Sequence, residues 1–337
     1  MSESDVAVVA AYPDESQDIA LLLGDMPLFA GIPQDELADL ASAFTRLSLG
    51  PGELLWRQGT PVDGLHVIVT GEAQVCRRLP GERELELARI GAGDVLGEVP
   101  LLGGGTHSAS VRALSPVRLL FLDRAEFGAR MLSRQPGALE LRRRIVAIAC
   151  DRLRKLHGAL VQSAAARDDG VGSTPAAAPA TTPVAEVPAP SLAYVSRLPL
   201  FRNDPGLATM LLQAGRTVHV PRGRVMVRAG EPPTTFHVTL NGAVEDVLAV
   251  GSAQLRVGLA GPGRAFGYLG LLDGGDATMT SVARERSTIL TIAAERFATL
   301  CNGNDERSRT LAAAVQSDLM LSLRDAGKPL IWAGSLR

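Results

Sequence analysis

The chain repeats itself once, and this repeat limits what it can fold into. Pro27-Leu28-Phe29 recurs as Pro199-Leu200-Phe201. Five glycines recur with the same spacing: Gly52, Gly59, Gly71, Gly93 and Gly97 match Gly223, Gly230, Gly242, Gly263 and Gly267. The offset stays between 170 and 172 residues, so small loop insertions explain the drift. Two copies are too few for a stacked repeat protein, and we expect two similar domains in tandem.

A change in composition separates the two copies. Residues 164–191 are rich in Ala, Pro and Thr and contain no aromatic residue, so they cannot bury enough apolar surface to fold. They predict a semi-rigid spacer. The expected organisation is an N-terminal segment (1–25), copy 1 (26–163), the linker (164–191), copy 2 (192–327) and a C-terminal tail (328–337).

Within copy 1 the pattern is mainly β. Short apolar runs that end at glycines predict strands at 65–70, 73–76, 85–90, 110–113 and 118–122, and such strands are typical of a barrel or jelly roll. Helical periodicity predicts flanking helices over 34–44 and 138–161. The recurring glycines of copy 1 fit sharp reversals, where φ is often positive.

Three features resemble the cyclic-nucleotide-binding domain. They are the glycine spacing, the run Asp63-Gly64-Leu65-His66-Val67-Ile68-Val69-Thr70-Gly71 and the run Gly91-Ala92-Gly93-Asp94-Val95-Leu96-Gly97-Glu98. This family includes the catabolite activator protein and the regulatory subunit of cAMP-dependent protein kinase. The resemblance covers about residues 26–162 and, less closely, 197–325. It implies two tandem eight-stranded β-rolls (jelly rolls) with flanking α-helices, and cAMP or cGMP as the possible ligand.

In that family one segment between two strands, here called the cassette, binds the ligand. In copy 1 it runs from Gly97 to Val111. The resemblance implies that Glu98 accepts from the ribose hydroxyl, but His107 stands where the family has its phosphate-binding arginine. The candidate ligand-binding residues are Gly97, Glu98, Val99, His107 and Ser108. Two alternatives stay open: Glu98 caps a helix, and His107 lies in an exposed loop.

The corresponding cassette of copy 2, residues 266–282, departs further from the family. Tyr268 replaces the glutamate, and Thr278 stands at the arginine position. Asp273 and Asp276 add negative charge that would repel a phosphate. We expect copy 2 to be degenerate and kept for packing or partner contact. His66 and its repeat partner His237 are expected as half-exposed strand residues rather than metal ligands.

The 138–161 helix carries an apolar stripe, with basic residues around the rest of the helix. The stripe residues assigned to an interaction are Leu141, Ile145, Leu153, Leu156 and Leu160. We expect them to form a homodimer or interdomain contact, and the alternative is that they pack in the domain's own core. A solvated helix face explains the basic residues without nucleic acid.

Charge balance, cysteine content and the absence of catalytic motifs from the sequence limit the classes of function that we expect. Lys+Arg 34 against Asp+Glu 36 argues against a chain built around nucleic-acid contacts, and no independent DNA-binding domain is expected after copy 2. Three separated cysteines and no apolar leader or membrane span favour the cytoplasm. No Ser/His/Asp or HExxH arrangement is present, so we expect a regulatory protein and not an enzyme.

The rival interpretation is a structural or protein-interaction module that binds no nucleotide. Residues 330–337, which end in Gly-Ser-Leu-Arg, resemble encapsulin cargo-loading peptides and make an encapsulin shell one candidate partner. The alternative for this tail is that it folds back on copy 2.

Overall fold

The computed structural model describes residues 10–11, 19–78, 84–97, 101, 105–165, 184–201, 204–251, 253–303 and 305–334. Contacts divide the chain into two compact units, Met1–Ile145 and Val146–Arg337. This division falls within a helix that runs from Pro136 to Ala165. Most of the predicted linker, residues 166–183, lies outside the described ranges, and the described part resumes at Val184.

In copy 1, two antiparallel sheets have the strand orders β1-β2-β9-β4-β7 and β3-β8-β5-β6. The described strands are β1 Ala10–Ala11, β2 Phe44–Leu49, β3 Leu54–Trp56, β4 Gly64–Thr70, β5 Ala73–Arg78, β6 Glu84–Ile90, β7 Val95–Leu96, β8 Ser110–Ala113 and β9 Val117–Asp123. The described helices are α1 Ile19–Gly24, α2 Gln34–Ala41, α3 Arg124–Leu132 and α4 Pro136–Ala165. Helix α4 is the one within which the two units divide.

Copy 2 repeats this topology with the orders β10-β11-β18-β13-β16 and β12-β17-β14-β15. The described strands are β10 Ala185–Glu186, β11 Arg216–Val220, β12 Val225–Val227, β13 Thr235–Asn241, β14 Val244–Val250, β15 Ala253–Ala260, β16 Ala265–Phe266, β17 Thr280–Ala283 and β18 Ser287–Ala293. The described helices are α5 Leu192–Val195, α6 Pro205–Ala214, α7 Leu269–Asp273, α8 Ala294–Asn302 and α9 Glu306–Gly334.

The core of each roll lies between its two sheets. In copy 1, Leu49 and Ile68 from one sheet pack with Trp56 and Val111 from the other. In copy 2, Val220 and Phe266 meet side chains such as Val244 from the facing sheet. The predicted mainly β fold with two jelly rolls and flanking helices is therefore confirmed.

Glycine is required at the reversals that both copies share. Gly71 has φ +91°, and a Cβ there would meet the carbonyl oxygen of Pro116. Its counterpart Gly242 has φ +85° and lies against Ser287. A side chain would be strained in this conformation and would have no room. The positive φ predicted for the recurring glycines of copy 1 is confirmed for Gly52, Gly59, Gly71 and Gly93.

The element bounds differ from the sequence predictions at helix ends. The predicted 34–44 helix ends at Ala41, because Phe44 begins β2 and pairs with Leu122 of β9. Helix α4 is longer than predicted at both ends. In front of α3, the Asp123 carboxylate accepts hydrogen bonds from the backbone N–H groups of Ala125 and Glu126 at 2.7 and 3.0 Å, which is a favourable N-cap.

Candidate functional site

The cassette of copy 1 leaves the sheet at Gly97, immediately after β7. Gly97 has φ +78°, and a Cβ at this position would meet the carbonyl oxygen of Gly64. The carbonyl of Gly97 accepts a hydrogen bond from the backbone N–H of Leu101 at 2.9 Å. Glu98 and Val99 lie between these two residues but outside the described ranges, so their assignment as ligand-binding residues stays a prediction.

His107 is buried at the far end of the copy 1 cassette. Its residue is 5% exposed, and its ring stacks on Trp56 with centroids 4.0 Å apart and planes at 13°. Burial lowers the pKa of His107, and the Asp63 carboxylate partly opposes that shift. The exposed-loop alternative is therefore wrong, because the indole covers the imidazole. A neutral imidazole at this place offers a phosphate at most one N–H donor.

His66 extends this aromatic cluster. Its ring lies 5.0 Å from Trp56 and 4.6 Å from Phe121, and its Nδ1 has no hydrogen-bond partner. Burial, with a smaller contribution from His107, lowers the pKa of His66 to about 3. The expectation that His66 and His237 are half-exposed is wrong, since both are 3% exposed. Among the described residues no group of three or more His, Cys, Asp or Glu side chains could hold a metal ion.

Ser108 is exposed, and the structure places a cationic group beside it. The Nε–H of Arg77 on β5 donates to the carbonyl oxygen of Ser108 at 3.1 Å. Arg77 was not among the predicted site residues, because it lies 31 positions before Ser108 and belongs to no motif. The strand pairing of β5 with β8, which aligns Cys76 with Ser110, brings it to the end of the cassette.

In copy 2 the residue that replaces the glutamate fastens the cassette to the C-terminal helix. The hydroxyl of Tyr268 donates to Oδ2 of Asp318 on α9 at 2.7 Å, and the Nε–H of Arg264 donates to Oδ1 of the same carboxylate at 2.6 Å. Tyr268 and Asp318 are 6% and 7% exposed. Burial and the Asp318 charge raise the pKa of Tyr268 well above its ordinary value, so it remains a neutral donor.

In the acidic loop of the copy 2 cassette, one of the two carboxylates expected to repel a phosphate, that of Asp273, is paired with Arg154 on α4. The Arg154 guanidinium donates to both carboxylate oxygens of Asp273, at 2.7 and 2.8 Å, and to the carbonyl oxygen of Asp276 at 2.5 Å. His157 Nδ1 lies 2.8 Å from the hydroxyl of Thr278, the residue at the family's arginine position.

A small cavity of about 30 Å³ remains inside the copy 2 cassette. Leu153, Phe266, Tyr268 and Thr278 are among its lining residues, together with the buried carboxylate of Asp246. The lining therefore combines apolar side chains with the hydroxyls of Tyr268 and Thr278.

The apolar stripe of α4 is largely buried within one chain. Leu141, Ile145, Leu153 and Leu160 are at most 3% exposed, and Leu156 is half-buried. Leu311, Val315 and Leu319, which follow Leu141, Ile145 and Ala149 by 170 positions, are 0% exposed on α9. This burial does not distinguish the expected interdomain contact from packing in the domain's own core, so the interaction assigned to these residues stays a prediction.

The remaining expectations concern the termini and the membrane. Helix α9 continues to Gly334, so Leu330–Gly334 is helical, and residues 335–337 lie outside the described ranges. Within the described ranges, none of the helices combines the length and apolar character needed to cross a bilayer.

Comparisons with known proteins agree with the repeat. A family model described as "Cyclic nucleotide-binding domain" matches residues 46–134 and 217–304, which together make up more than half of the chain. The two matches fall on equivalent parts of copy 1 and copy 2. The tandem arrangement predicted from the glycine spacing is therefore confirmed.

Two curated relatives each match about a third of the chain. The CRP-like cAMP-activated global transcriptional regulator of Mycobacterium tuberculosis H37Rv is 27% identical over 103 residues, 31% of this chain and 46% of that protein. The cGMP-dependent protein kinase egl-4 of Caenorhabditis briggsae is 31% identical over 116 residues, 34% of this chain and 16% of that protein. The match thus spans less than half the length of either relative. Among solved structures, the regulatory domain of Toxoplasma gondii PKA with cAMP is 18% identical and covers 90% of this chain and 98% of that chain, with a TM-score of 0.33.

Proposed function

The chain belongs to the cyclic nucleotide-binding domain family and carries two copies of the domain, and from that premise we propose that it is a regulatory protein whose copy 1 senses a cyclic mononucleotide. The observation that carries the proposal is the difference between the cassettes. Copy 1 keeps Glu98 directly after Gly97, whereas copy 2 has Tyr268 at that place, bound to Asp318.

The chemistry of copy 1 supports weak binding. Glu98 would accept a hydrogen bond from the ribose hydroxyl of the nucleotide. His107 is buried and its pKa is lowered, so at neutral pH it gives no charge-assisted fork. Arg77 supplies a positive charge near Ser108 and is the candidate for partial compensation.

Calorimetric titration of the full chain with cAMP and with cGMP tests this proposal. We expect one weak site per chain for at least one nucleotide, and Glu98→Gln should lose it because the amide is a poorer acceptor. Glu84→Gln, on the exposed strand β6 of the same copy, is the matched control and should bind like the wild type. Equal binding by Glu98→Gln and the wild type would overturn the assigned site.

The alternative function is a structural or protein-interaction module that binds no nucleotide. An encapsulin shell is one candidate partner for such a module, and it would recognise residues 330–337. The filled cassette of copy 2 favours a structural role for that copy. If neither the wild type nor His107→Arg gave binding heat with either nucleotide, the alternative would extend to the whole chain.

A further inference from the structure

The cassette of copy 2 is occupied by a side chain of the same chain. Arg154 lies on the part of α4 that belongs to the second unit, Val146–Ala165, here called the seated segment. Its guanidinium binds Asp273 through two parallel hydrogen bonds and reaches the carbonyl oxygen of Asp276 with a third. Two-point pairing of this kind is the geometry in which arginine holds a carboxylate best.

The cassette is shaped for this group. Gly275 leaves room for the guanidinium, since a Cβ at that position would lie 2.6 Å from Nη2 of Arg154. The backbone N–H of Gly275 also donates to Oδ1 of Asp273 at 3.0 Å and so orients the carboxylate. The Arg154 and Asp273 side chains are 24% and 14% exposed, so the pair is shielded from water on most sides.

Two further contacts fix the seated segment beside the pair. His157, one helical turn after Arg154, binds the Thr278 hydroxyl through Nδ1. Leu153 is 2% exposed and lines the cassette cavity. One face of the seated segment therefore presents an apolar, a cationic and a polar group to the cassette in register.

We infer that the cassette of copy 2 is a receptor for the seated segment of its own chain, with the guanidinium of Arg154 as its occupant in place of an anionic ligand. The loop binds a cation at this place, because the groups that contact Arg154 are the Asp273 carboxylate and the Asp276 carbonyl. A cyclic phosphate would have to displace Arg154 and then meet the charge of Asp273. The residues involved lie in the seated segment and in copy 2, so nucleotide binding by copy 1 does not affect this inference.

The alkylation rate of Cys150 measures how often the seated segment opens away from the cassette. Cys150 lies one turn before Arg154 and is 0% exposed, and burial raises the pKa of its thiol to about 12. The seated segment must therefore open before the thiol can be alkylated. In the full chain, Arg154→Ala and Asp273→Asn should each raise the alkylation rate of Cys150 about tenfold, as measured by peptide mass spectrometry. The double variant should alkylate Cys150 no faster than either single variant, because each of the three variants removes the same interaction.

The controls separate seating from general stability. Lys155→Ala removes a neighbouring cation that is 76% exposed and paired with Asp151 on the same helix, and it should leave the alkylation rate of Cys150 unchanged. Cys301 on α8 serves as a second thiol in the same copy. Unchanged Cys150 labelling in Arg154→Ala, additive effects in the double variant, or an equal rise at Cys301 would each overturn the inference.

Discussion

Copy 1 and copy 2 share one fold but differ in the residues of the cassette and in what contacts them. After β7, copy 1 continues into Glu98, and its strand β6 leaves Leu85 and Leu87 37% and 48% exposed. After β16, copy 2 continues into Tyr268, which is tied to Asp318, and helix α9 contacts strand β15. The two cassettes differ at most positions and, counted from their shared glycine, by one residue in length, while the sheet order and the turn glycines are the same.

The comparison shows that the side chains of the cassette can change while the backbone geometry of the fold is kept. The cassette loop needs its glycines for backbone geometry, and copy 2 keeps Gly267 with φ +70°. The groups that would contact the ligand are under no such constraint, and copy 2 uses their positions for Tyr268, Asp273 and Thr278. Each of these side chains has a partner within the second unit. In copy 2 these cassette positions therefore take part in the packing of the domain.

The largest expected effect comes from restoring the arginine in copy 1. His107→Arg should tighten cyclic-nucleotide binding about a hundredfold at pH 7.5, since about 3 kcal/mol of charge-assisted hydrogen bonding is regained. The planar guanidinium can keep the stacking on Trp56. His107→Lys is the matched control and should gain less, because it adds charge without a fork. Calorimetry measures both, and no gain in His107→Arg would contradict the assigned phosphate position.

The buried carboxylate of Asp246 in copy 2 should make stability depend on pH. Burial raises its pKa from 3.8 to about 6, against the hydrogen bond of 2.5 Å that Ser281 donates. The stabilisation from protonated Asp246 is fully present below pH 3.8 and is lost as pH rises through 6. Asp246→Asn avoids this loss, so its free energy of unfolding should exceed that of the wild type increasingly with pH, by at most about 3 kcal/mol.

Urea denaturation of the full chain, followed by circular dichroism at pH 5 and pH 8, measures this difference. Ser281→Ala removes the donor to the carboxylate and should have the opposite sign, destabilising most at pH 8. A difference between Asp246→Asn and the wild type that does not change with pH would contradict the prediction.

The sequence predicted the β-roll and the tandem arrangement because both depend on local backbone requirements. Gly71 and Gly242 signal sharp reversals wherever they stand, and their spacing carries the family pattern. Partners distant in sequence are different. The periodicity of α4 shows that Leu153 faces inward but does not show what it packs against, and nothing in the local sequence indicates its place in the copy 2 cavity.

The site was predicted less well for the same reason. His107 follows a Gly-rich loop and therefore suggests exposure, but Trp56, 51 positions earlier, covers its ring. Asp273 in isolation is a charge that repels phosphate, and only the fold brings Arg154 to it. Charge can be counted from a sequence, whereas the pairing of charges depends on the tertiary structure.

A smaller effect is expected from breaking the Tyr268 contact in copy 2. Tyr268→Phe leaves the buried Asp318 carboxylate with one donor fewer and should lower the free energy of unfolding by about 2 kcal/mol. Tyr194→Phe is the matched control: its hydroxyl donates to the Leu240 carbonyl at 2.9 Å, but the residue is 39% exposed and water can replace the lost bond. Urea denaturation should show the larger loss for Tyr268→Phe, and equal losses would contradict the role given to Asp318.

The smallest expected effect is the pH dependence of nucleotide binding by copy 1. A bound phosphate favours protonated His107, so affinity should rise as pH falls, and burial, which lowers the pKa of His107 in the free protein, places the end of this rise below the ordinary value of 6.5. His66, with a pKa of about 3, stays neutral in this range and cannot be the source. We expect a gain of a few fold between pH 7.5 and 5.5, with proton uptake visible when calorimetry at pH 5.5 is repeated in buffers of different ionisation enthalpy. His107→Arg should show neither, and undiminished proton uptake in that variant would assign the titration to another group.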